Sequence, residues 1–323
     1  MKAIRVDAYG GPEVLRLQEV ETPQPGPGQA RISVAAAGLN FVDIYIRRGE
    51  YTTLTPPYIP GFEGAGIVDA IGEGVQTVKV GDRVAYTGQP GAYAEAQVVQ
   101  ADSLLPLPPE LTFEQGAAIP LQGLTAHYLL HEYRQIQPGE TVLIHAAAGG
   151  MGLLLVQWAR HLGARVVGTV STEQKAQAAK EAGADHLILY TQQDWVAETK
   201  RLTDGVGAHL IIDGVGKTTF AGNLEAAALR GNIVLYGAAS GSADPFAPNI
   251  LQRRSLTVSG GMLGNYTQTR EELLRRAKDL MDGISEGWLK LHIHQALPLA
   301  EAAAAHRLLE DRQSIGKIVL TTR

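Results

Sequence analysis

From Gly139 to Arg160 the chain reads GETVLIHAAAGGMGLLLVQWAR. A short apolar run at 142–145 meets a turn of small residues, Ala147-Ala148-Gly149-Gly150-Met151-Gly152, and an apolar stretch at 153–162 follows. Strand, glycine turn and helix in that order form a cradle for the pyrophosphate of a dinucleotide. Gly149 lets the backbone come close to a phosphate, and Gly152 lets the helix lie close on the strand. The helix N-terminus presents N–H groups that have no partner inside the helix. The spacing is A-x-G-x-x-G, with Ala147 where a first glycine usually stands. Ala148, Gly149, Gly150, Met151 and Gly152 are the expected pyrophosphate contacts.

The next expected strand ends in Gly168-Thr169-Val170-Ser171-Thr172. A site for NAD needs an acid at that point to hold the ribose 2′-hydroxyl. None stands there before Glu173, which falls early in a helix, and Lys175 follows. A cation among hydroxyls suits a 2′-phosphate better than a bare ribose. Gly168, Ser171 and Lys175 therefore point to NADPH.

These residues need a sheet to carry them. Further strands are expected at 165–170, 186–190, 208–213, 232–236 and 256–259. Helical stretches such as 172–182 and 217–229 separate the first five of the six strands, counting that at 142–145, and the last link is irregular, with Pro245 and Pro248. The alternation predicts an α/β fold with a doubly wound parallel sheet. Residues 1–120 differ. They are rich in Gly, Pro and Val, with short strands at 3–6, 30–36, 66–71, 83–86 and 93–99 and one helix at 40–48. Turn signals such as Pro23-Gln24-Pro25-Gly26-Pro27-Gly28 separate them. After residue 266 come helices at 270–282 and 299–310 and a strand at 317–321. The expected domains are 123–265 for the dinucleotide and 1–122 for a mainly β unit, to which 266–323 returns. The cleft between them is the expected active site.

The 323 residues exceed one common core, which agrees with two domains. A net charge of −5 and the absence of a basic run argue against nucleic acid as a partner. No apolar run reaches membrane-spanning length, and the opening MKAIRVDAYGG starts at once with strand-like alternation rather than a signal peptide. A cytoplasmic enzyme is expected. The chain has no cysteine, so disulfides and thiolate metal sites are excluded. Three patterns mislead. Gly214-Val215-Gly216-Lys217-Thr218 looks like the end of a P-loop, but Ile211 stands where that loop needs a glycine. His127 and His131, four apart, read as helix histidines without the H-E-x-x-H arrangement, and His292 and His294 have no visible third ligand.

Several segments together resemble the zinc-free branch of the medium-chain dehydrogenase/reductase superfamily, closest to quinone oxidoreductases of the zeta-crystallin type. They are Gly61-Phe62-Glu63-Gly64-Ala65-Gly66-Ile67-Val68 with Gly72 and Gly81-Asp82-Arg83-Val84, and the 139–160 run with Gln157. Gly10-Gly11-Pro12-Glu13-Val14-Leu15 and Gly316-Lys317-Ile318-Val319-Leu320 belong with them. The resemblance implies a GroES-like catalytic domain at the N-terminus and a Rossmann domain after it. Zinc-holding relatives carry a Cys and a His where this chain has Asn40 and Phe62, and their cysteine-rich lobe shrinks here to 87–92. No metal site is expected.

Without a metal to stabilise an alkoxide, the chemistry favours acceptors that are already electrophilic, with hydrogen-bond donors for the developing oxyanion. The resemblance places Asn40, Tyr45 and Tyr51 around a quinone, with Asp43 and Glu63 as weaker candidates and Glu63 as a tie for nearby backbone. It puts Thr125, Val215, Tyr236, Gly237, Ala238, Met262 and Leu263 at the nicotinamide end and Tyr190 at the adenosine phosphate. Gly260 stands where some relatives have a basic residue. The expected function is metal-free NADPH:quinone oxidoreductase. The alternatives are an enone or alkenal double-bond reductase on the same scaffold and, from another class, an NADPH-binding structural or RNA-binding protein. The segment 255–262 is the expected sheet edge through which two copies pair as a homodimer.

Overall fold

The structure is a computed structural model that describes residues 1–322, and the chain divides into two units, each described by itself. The first comprises Met1–Gln122, Thr267–Lys278 and Leu291–Arg323, and the second Gly123–Tyr266 and Asp279–Lys290.

The first unit opens with an antiparallel pair, β1 (Lys2–Arg5) and β2 (Arg16–Glu19). The long strand β3 (Gln29–Gly38) turns alternate residues inward, Ala30, Ile32, Val34 and Ala36. That period of two is the mark of a half-buried strand. After β3 come α1 (Phe41–Arg47), β4 (Glu63–Ile71), β5 (Arg83–Thr87), β6 (Ala96–Gln100), β7 (Leu105–Pro106) and the one-turn helix α2 (Phe113–Gly116).

The second unit takes up the chain within α3 (Pro120–His131). It continues through β8 (Thr141–Ile144), α4 (Gly150–His161), β9 (Arg165–Val170), α5 (Glu173–Glu181), β10 (His186–Leu189) and α6 (Trp195–Leu202). Then come β11 (Ala208–Asp213), α7 (Phe220–Ala226), β12 (Ala227–Leu235) and β13 (Thr257–Gly260). The strand order is β10-β9-β8-β11-β12-β13, and every pairing is parallel. This is the doubly wound arrangement, with the strand order reversing beside β8. β8, β9 and β11 are almost wholly buried, as parallel strands with both faces covered must be. Leu143, Val167, Ile211 and Ile233 form one core with Phe220, against which Trp195 packs.

The chain then runs through α8 (Arg270–Ser285), β14 (Ile293–Pro298), α9 (Ala302–Glu310) and β15 (Lys317–Thr321). The last two strands complete the sheet of the first unit, whose order is β14-β15-β3-β4-β5-β7, with β6 also on β3. Ile32, Val34, Val68, Tyr93, Ile318 and Leu320 share its core.

Several elements differ from the sequence expectation. The helix expected from 153 begins at Gly150, because the helix takes in the last three residues of the glycine turn. The helix expected over 217–229 is confined to 220–226. Gly216, at φ +88°, and the 217–218 turn precede it, and the chain extends from Ala227 to pair with β11. β14 was not expected; it pairs in parallel with β15. The sequence assigned all of 266–323 to the first unit, yet 279–290 groups with the second. Aromatic packing explains this. Trp288 stacks on His161 at 3.9 Å and meets Trp158 edge-on, while Leu280 fills the space beside Gly123.

Candidate active site

The glycine turn starts with Ala146 in the left-handed region, φ 52°. An alanine there is strained. It lets the next peptide turn so that the Ala147 N–H donates to the Thr169 carbonyl at 3.1 Å and the Gly149 N–H to Ala146 at 2.9 Å. Gly149 is the extended N-cap residue of α4. A Cβ on Gly152 would sit 2.3 Å from the Ala146 carbonyl oxygen, and one on Gly168 would sit 2.6 Å from the Ala147 Cβ. Those glycines set how closely α4 and β9 lie on the turn. A Cβ on Gly149 would meet only the Ala146 oxygen, at 3.4 Å, so that side is open. The first-turn N–H groups of the twelve-residue α4, including those of Gly150, Met151 and Gly152, lack helix partners and suit a diphosphate.

Most of the other expected cofactor residues of this unit follow the carboxyl ends of successive strands, where doubly wound sheets bind ligands. Beyond β9, Ser171 precedes α5, whose N-cap Thr172 accepts a hydrogen bond from the Lys175 N–H. Lys175 thus lies in the first turn of α5. Tyr190 follows β10, is 40% exposed, and its N–H donates to the Val170 carbonyl at 3.2 Å. Beyond β11, Val215 lies in a loop that meets the loop after β12. The Ser240 N–H donates to the Val215 carbonyl, and a Cβ on Gly214 would strike the Tyr236 ring. Tyr236, Gly237 and Ala238 are therefore brought against Val215. Met262, 73% exposed, and Leu263 follow β13. Thr125 is buried in α3, away from the strand ends in sequence.

Beneath these loops lies a network that sequence reasoning missed. Asp213, His145, Asn223 and Thr169 are buried and joined by hydrogen bonds. Burial holds the His145 imidazole below its ordinary pKa, more than Asp213 and Asn223 raise it. Each residue ends an apolar strand or faces one from a helix, and that placement was its only signal in the sequence.

In the first unit, Asn40 occupies the N-cap position of α1. Its amide is fully engaged. Nδ2 donates to Glu63 Oε2 at 2.9 Å and toward the Gly38 carbonyl at 3.4 Å. Oδ1 accepts from Lys317 Nζ at 2.7 Å and from Gln122 Nε2 at 3.3 Å. Lys317 also pairs with Glu63 Oε2 at 2.6 Å, both buried, and Glu63 Oε1 accepts the Leu121 N–H at 2.7 Å. Glu63 thus ties down backbone, and Asn40 has no donor to spare for an oxyanion. Nothing in the sequence marked Lys317 and Gln122 as partners of Asn40, from which they lie 277 and 82 residues away.

Behind Asn40, its N–H donates to Asp43 Oδ2 at 2.8 Å, and the Tyr93 hydroxyl donates to the same oxygen at 3.1 Å. Arg47 donates to His306 Nδ1 at 2.9 Å. A guanidinium cannot accept, so the imidazole proton belongs on Nε2, 3.3 Å from the Tyr93 oxygen. Asp43 Oδ1 is buried without a hydrogen-bond partner among the described residues. Burial pushes the Asp43 carboxyl up to about 7, although the Asn40 N–H, Lys317 and Tyr93 pull it down. Burial also drives His306 well below its usual value, with Arg47 adding to the effect.

Tyr45 and Tyr51 come together, ring centroids 5.1 Å apart, and the Tyr51 N–H donates to the Tyr45 carbonyl. Tyr45 is buried at 7% exposure and Tyr51 is 44% exposed. Among the described residues no three His, Asp or Glu are grouped to hold a metal ion. His127 instead bonds Asp279 at 2.8 Å and lies against His131 with the rings tilted and their centroids 4.5 Å apart.

A doubly wound unit with a glycine turn, joined in one chain to a mainly β unit with a buried polar cluster, defines a two-domain dehydrogenase-type architecture. Comparison with known proteins specifies it further. The family model for the alcohol dehydrogenase GroES-like domain matches residues 26–109, and that for zinc-binding dehydrogenase matches 150–279. The chain is 44% identical to a quinone oxidoreductase of Pseudomonas aeruginosa, over 99% of each chain. It is 42% identical to a 2-haloacrylate reductase of a Burkholderia species, over 96% of each. The structure of Escherichia coli quinone oxidoreductase complexed with NADPH superposes with a TM-score of 0.96 at 40% identity, covering 99% of this chain and 100% of that one. The chain belongs to the quinone oxidoreductase family of medium-chain dehydrogenases/reductases. It is an oxidoreductase.

Proposed function

We propose that this protein is an NADPH-dependent reductase of quinones that works without a metal ion. The observation that carries this reading is the alignment of the expected cofactor residues with the carboxyl ends of one parallel sheet, with Lys175 and no acid at the end of β9. A related structure agrees, since Escherichia coli quinone oxidoreductase was solved in complex with NADPH. Bound NADPH supplies a hydride from its nicotinamide ring. The chain's own part is to hold and orient. The first turn of α4 holds the pyrophosphate; Ser171, Lys175 and Tyr190 hold the 2′-phosphate end. Val215, Tyr236, Gly237 and Ala238, with Thr125, Met262 and Leu263, hold the nicotinamide end.

In the first unit Tyr45 and Tyr51 offer ring faces and hydroxyls to a flat, electrophilic acceptor. Asn40 acts as a positioning residue, since Glu63, Lys317 and Gln122 already take up its amide. The Lys317 ammonium beside it opposes a cation at that place by simple repulsion. That leaves hydrogen bonds to stabilise a developing oxyanion, which suits quinones better than unactivated ketones. Two copies associate through the open edge of β13, and the location is cytoplasmic.

The test is cofactor consumption with NADPH and NADH in parallel against an ortho-quinone, a para-quinone, an aliphatic enone and a 2-haloacrylate. The last acceptor answers to the Burkholderia relative. Turnover on quinones, at least about tenfold faster with NADPH, is the expected result. Turnover confined to the enone or haloacrylate replaces quinone reduction with double-bond reduction. NADPH binding without turnover on any acceptor leaves the non-catalytic reading in its place.

A further inference from the structure

The buried network of the second unit has a fixed direction. Asp213 ends β11 and is inaccessible to solvent. Its Oδ1 accepts the N–H groups of Val215 at 2.7 Å and Gly216 at 3.1 Å. Its Oδ2 accepts the Thr219 hydroxyl at 2.7 Å and Asn223 Nδ2 at 2.6 Å. An ionised carboxylate only accepts, so Asn223 must turn its amino group to Asp213 and its carbonyl oxygen to His145. His145 Nε2, 2.7 Å from that oxygen, then carries the ring proton. His145 Nδ1 is left bare and accepts the Thr169 hydroxyl at 3.0 Å. The ring packs edge-on against Trp195 with centroids 4.7 Å apart. Donation thus runs one way, from Thr169 through His145 and Asn223 to Asp213, which also accepts the N–H groups of the 214–216 loop.

The two ends of this chain fall at two separate parts of the expected cofactor cradle. Thr169 lies two residues before Ser171, and its carbonyl also holds the glycine turn through Ala147. Val215 lies two residues after Asp213, and its N–H is held by the Asp213 carboxylate. We propose that Thr169, His145, Asn223 and Asp213 act as positioning residues. They fix the 214–216 loop at a set distance from the end of β9, so that the nicotinamide and adenosine ends of NADPH are gripped together. This inference rests on the NADPH reading above.

The test compares NADPH with 2′,5′-ADP, which carries only the adenosine end, by calorimetry on the full chain. Asn223→Leu keeps the branched shape of the side chain and cuts the chain between His145 and Asp213. NADPH affinity should fall about tenfold, the size expected for one hydrogen bond to a charged group, while 2′,5′-ADP should stay within about twofold. Thr169→Val cuts the far end and should give the same split, smaller, in a variant that keeps Asp213 saturated. Equal losses for both ligands, or a lower Tm with neither affinity changed, would mean that the network only supports the fold and would overturn the proposal. If Asn223→Leu fails to fold, Thr169→Val decides by the same comparison. Wild-type protein that does not bind NADPH defeats the cofactor reading itself, an outcome distinct from wild-type binding with unaffected variants.

Discussion

Asn40 illustrates how a residue type can point to chemistry that its surroundings redirect. Its position at the start of α1 suggested a donor for an oxyanion, but its amide is shared among Lys317, Glu63, Gln122 and Gly38. The buried Lys317–Glu63 pair holds that arrangement, and removing one member of such a pair strands the other charge. Lys317→Met should therefore destabilise the fold by about 3–5 kcal/mol, and adding Glu63→Gln should restore part of the loss in denaturant melts. Full loss in both variants would mean that packing, not charge, holds the cluster. Asp43 gives a second prediction, with a definite sign. Its carboxyl lies at about 7 when folded against 3.8 unfolded, so between those values the folded chain keeps a proton that the unfolded chain releases. Stability from this group is intact below about pH 4 and falls as pH rises towards 7, by about 4 kcal/mol at most. His145 and His306, held low by burial, act in the opposite sense as pH falls below about 6.5. They are common to both proteins, so Asp43→Asn should gain on wild type from pH 4 to 8 in paired melts. A stability difference independent of pH would show that Asp43 does not carry the proton.

Elements were more legible than sites. The glycine turn, the strands of the parallel sheet and the helix that starts with Asn40 as its cap could be read from residue type and period, because the physics that makes them is local. The helix expected over 217–229 failed for a physical reason. Helix propensity favoured it, but pairing of Ala227–Leu235 with β11 takes that stretch into the sheet. The polar clusters escaped for another reason. Lys317 reads as one cation in an apolar strand, and Asp213 and His145 read as strand ends; only folding sets each beside its partner. The pattern after β9 was readable, and it can be tested at the level of the element. Lys175 sits in the first turn of α5, where the N-terminal dipole and the ammonium both favour a phosphate. Lys175→Ala should raise KM for NADPH about tenfold and leave that for NADH nearly unchanged. A like rise for both cofactors would remove Lys175 from the 2′-phosphate site.

At the scale of the whole molecule, the question left by the parallel sheet is its edge. β13 pairs with β12 on one side, and among the described residues no strand pairs with it on the other. Val258 packs against the core, while Thr257 is exposed, so one row of backbone N–H and C=O groups lies open on a short strand without a charged residue. Such an edge invites a second strand. A twofold axis beside it brings β13 against its own copy, running antiparallel, and continues the sheet across two chains. In that arrangement each residue near the axis faces its counterpart, so a charge placed there meets itself. Light scattering of wild-type protein at micromolar concentration should give twice the chain mass. Thr257→Asp should shift the equilibrium to the single chain, because like charges directly opposite across a strand pair repel. NADPH binding should persist in that variant, since Thr257 begins β13 and the cofactor residues follow the strand's other end. A wild-type protein that scatters as one chain, or a Thr257→Asp variant that stays paired, would remove β13 from the interface and leave its open edge to be explained by shortness alone.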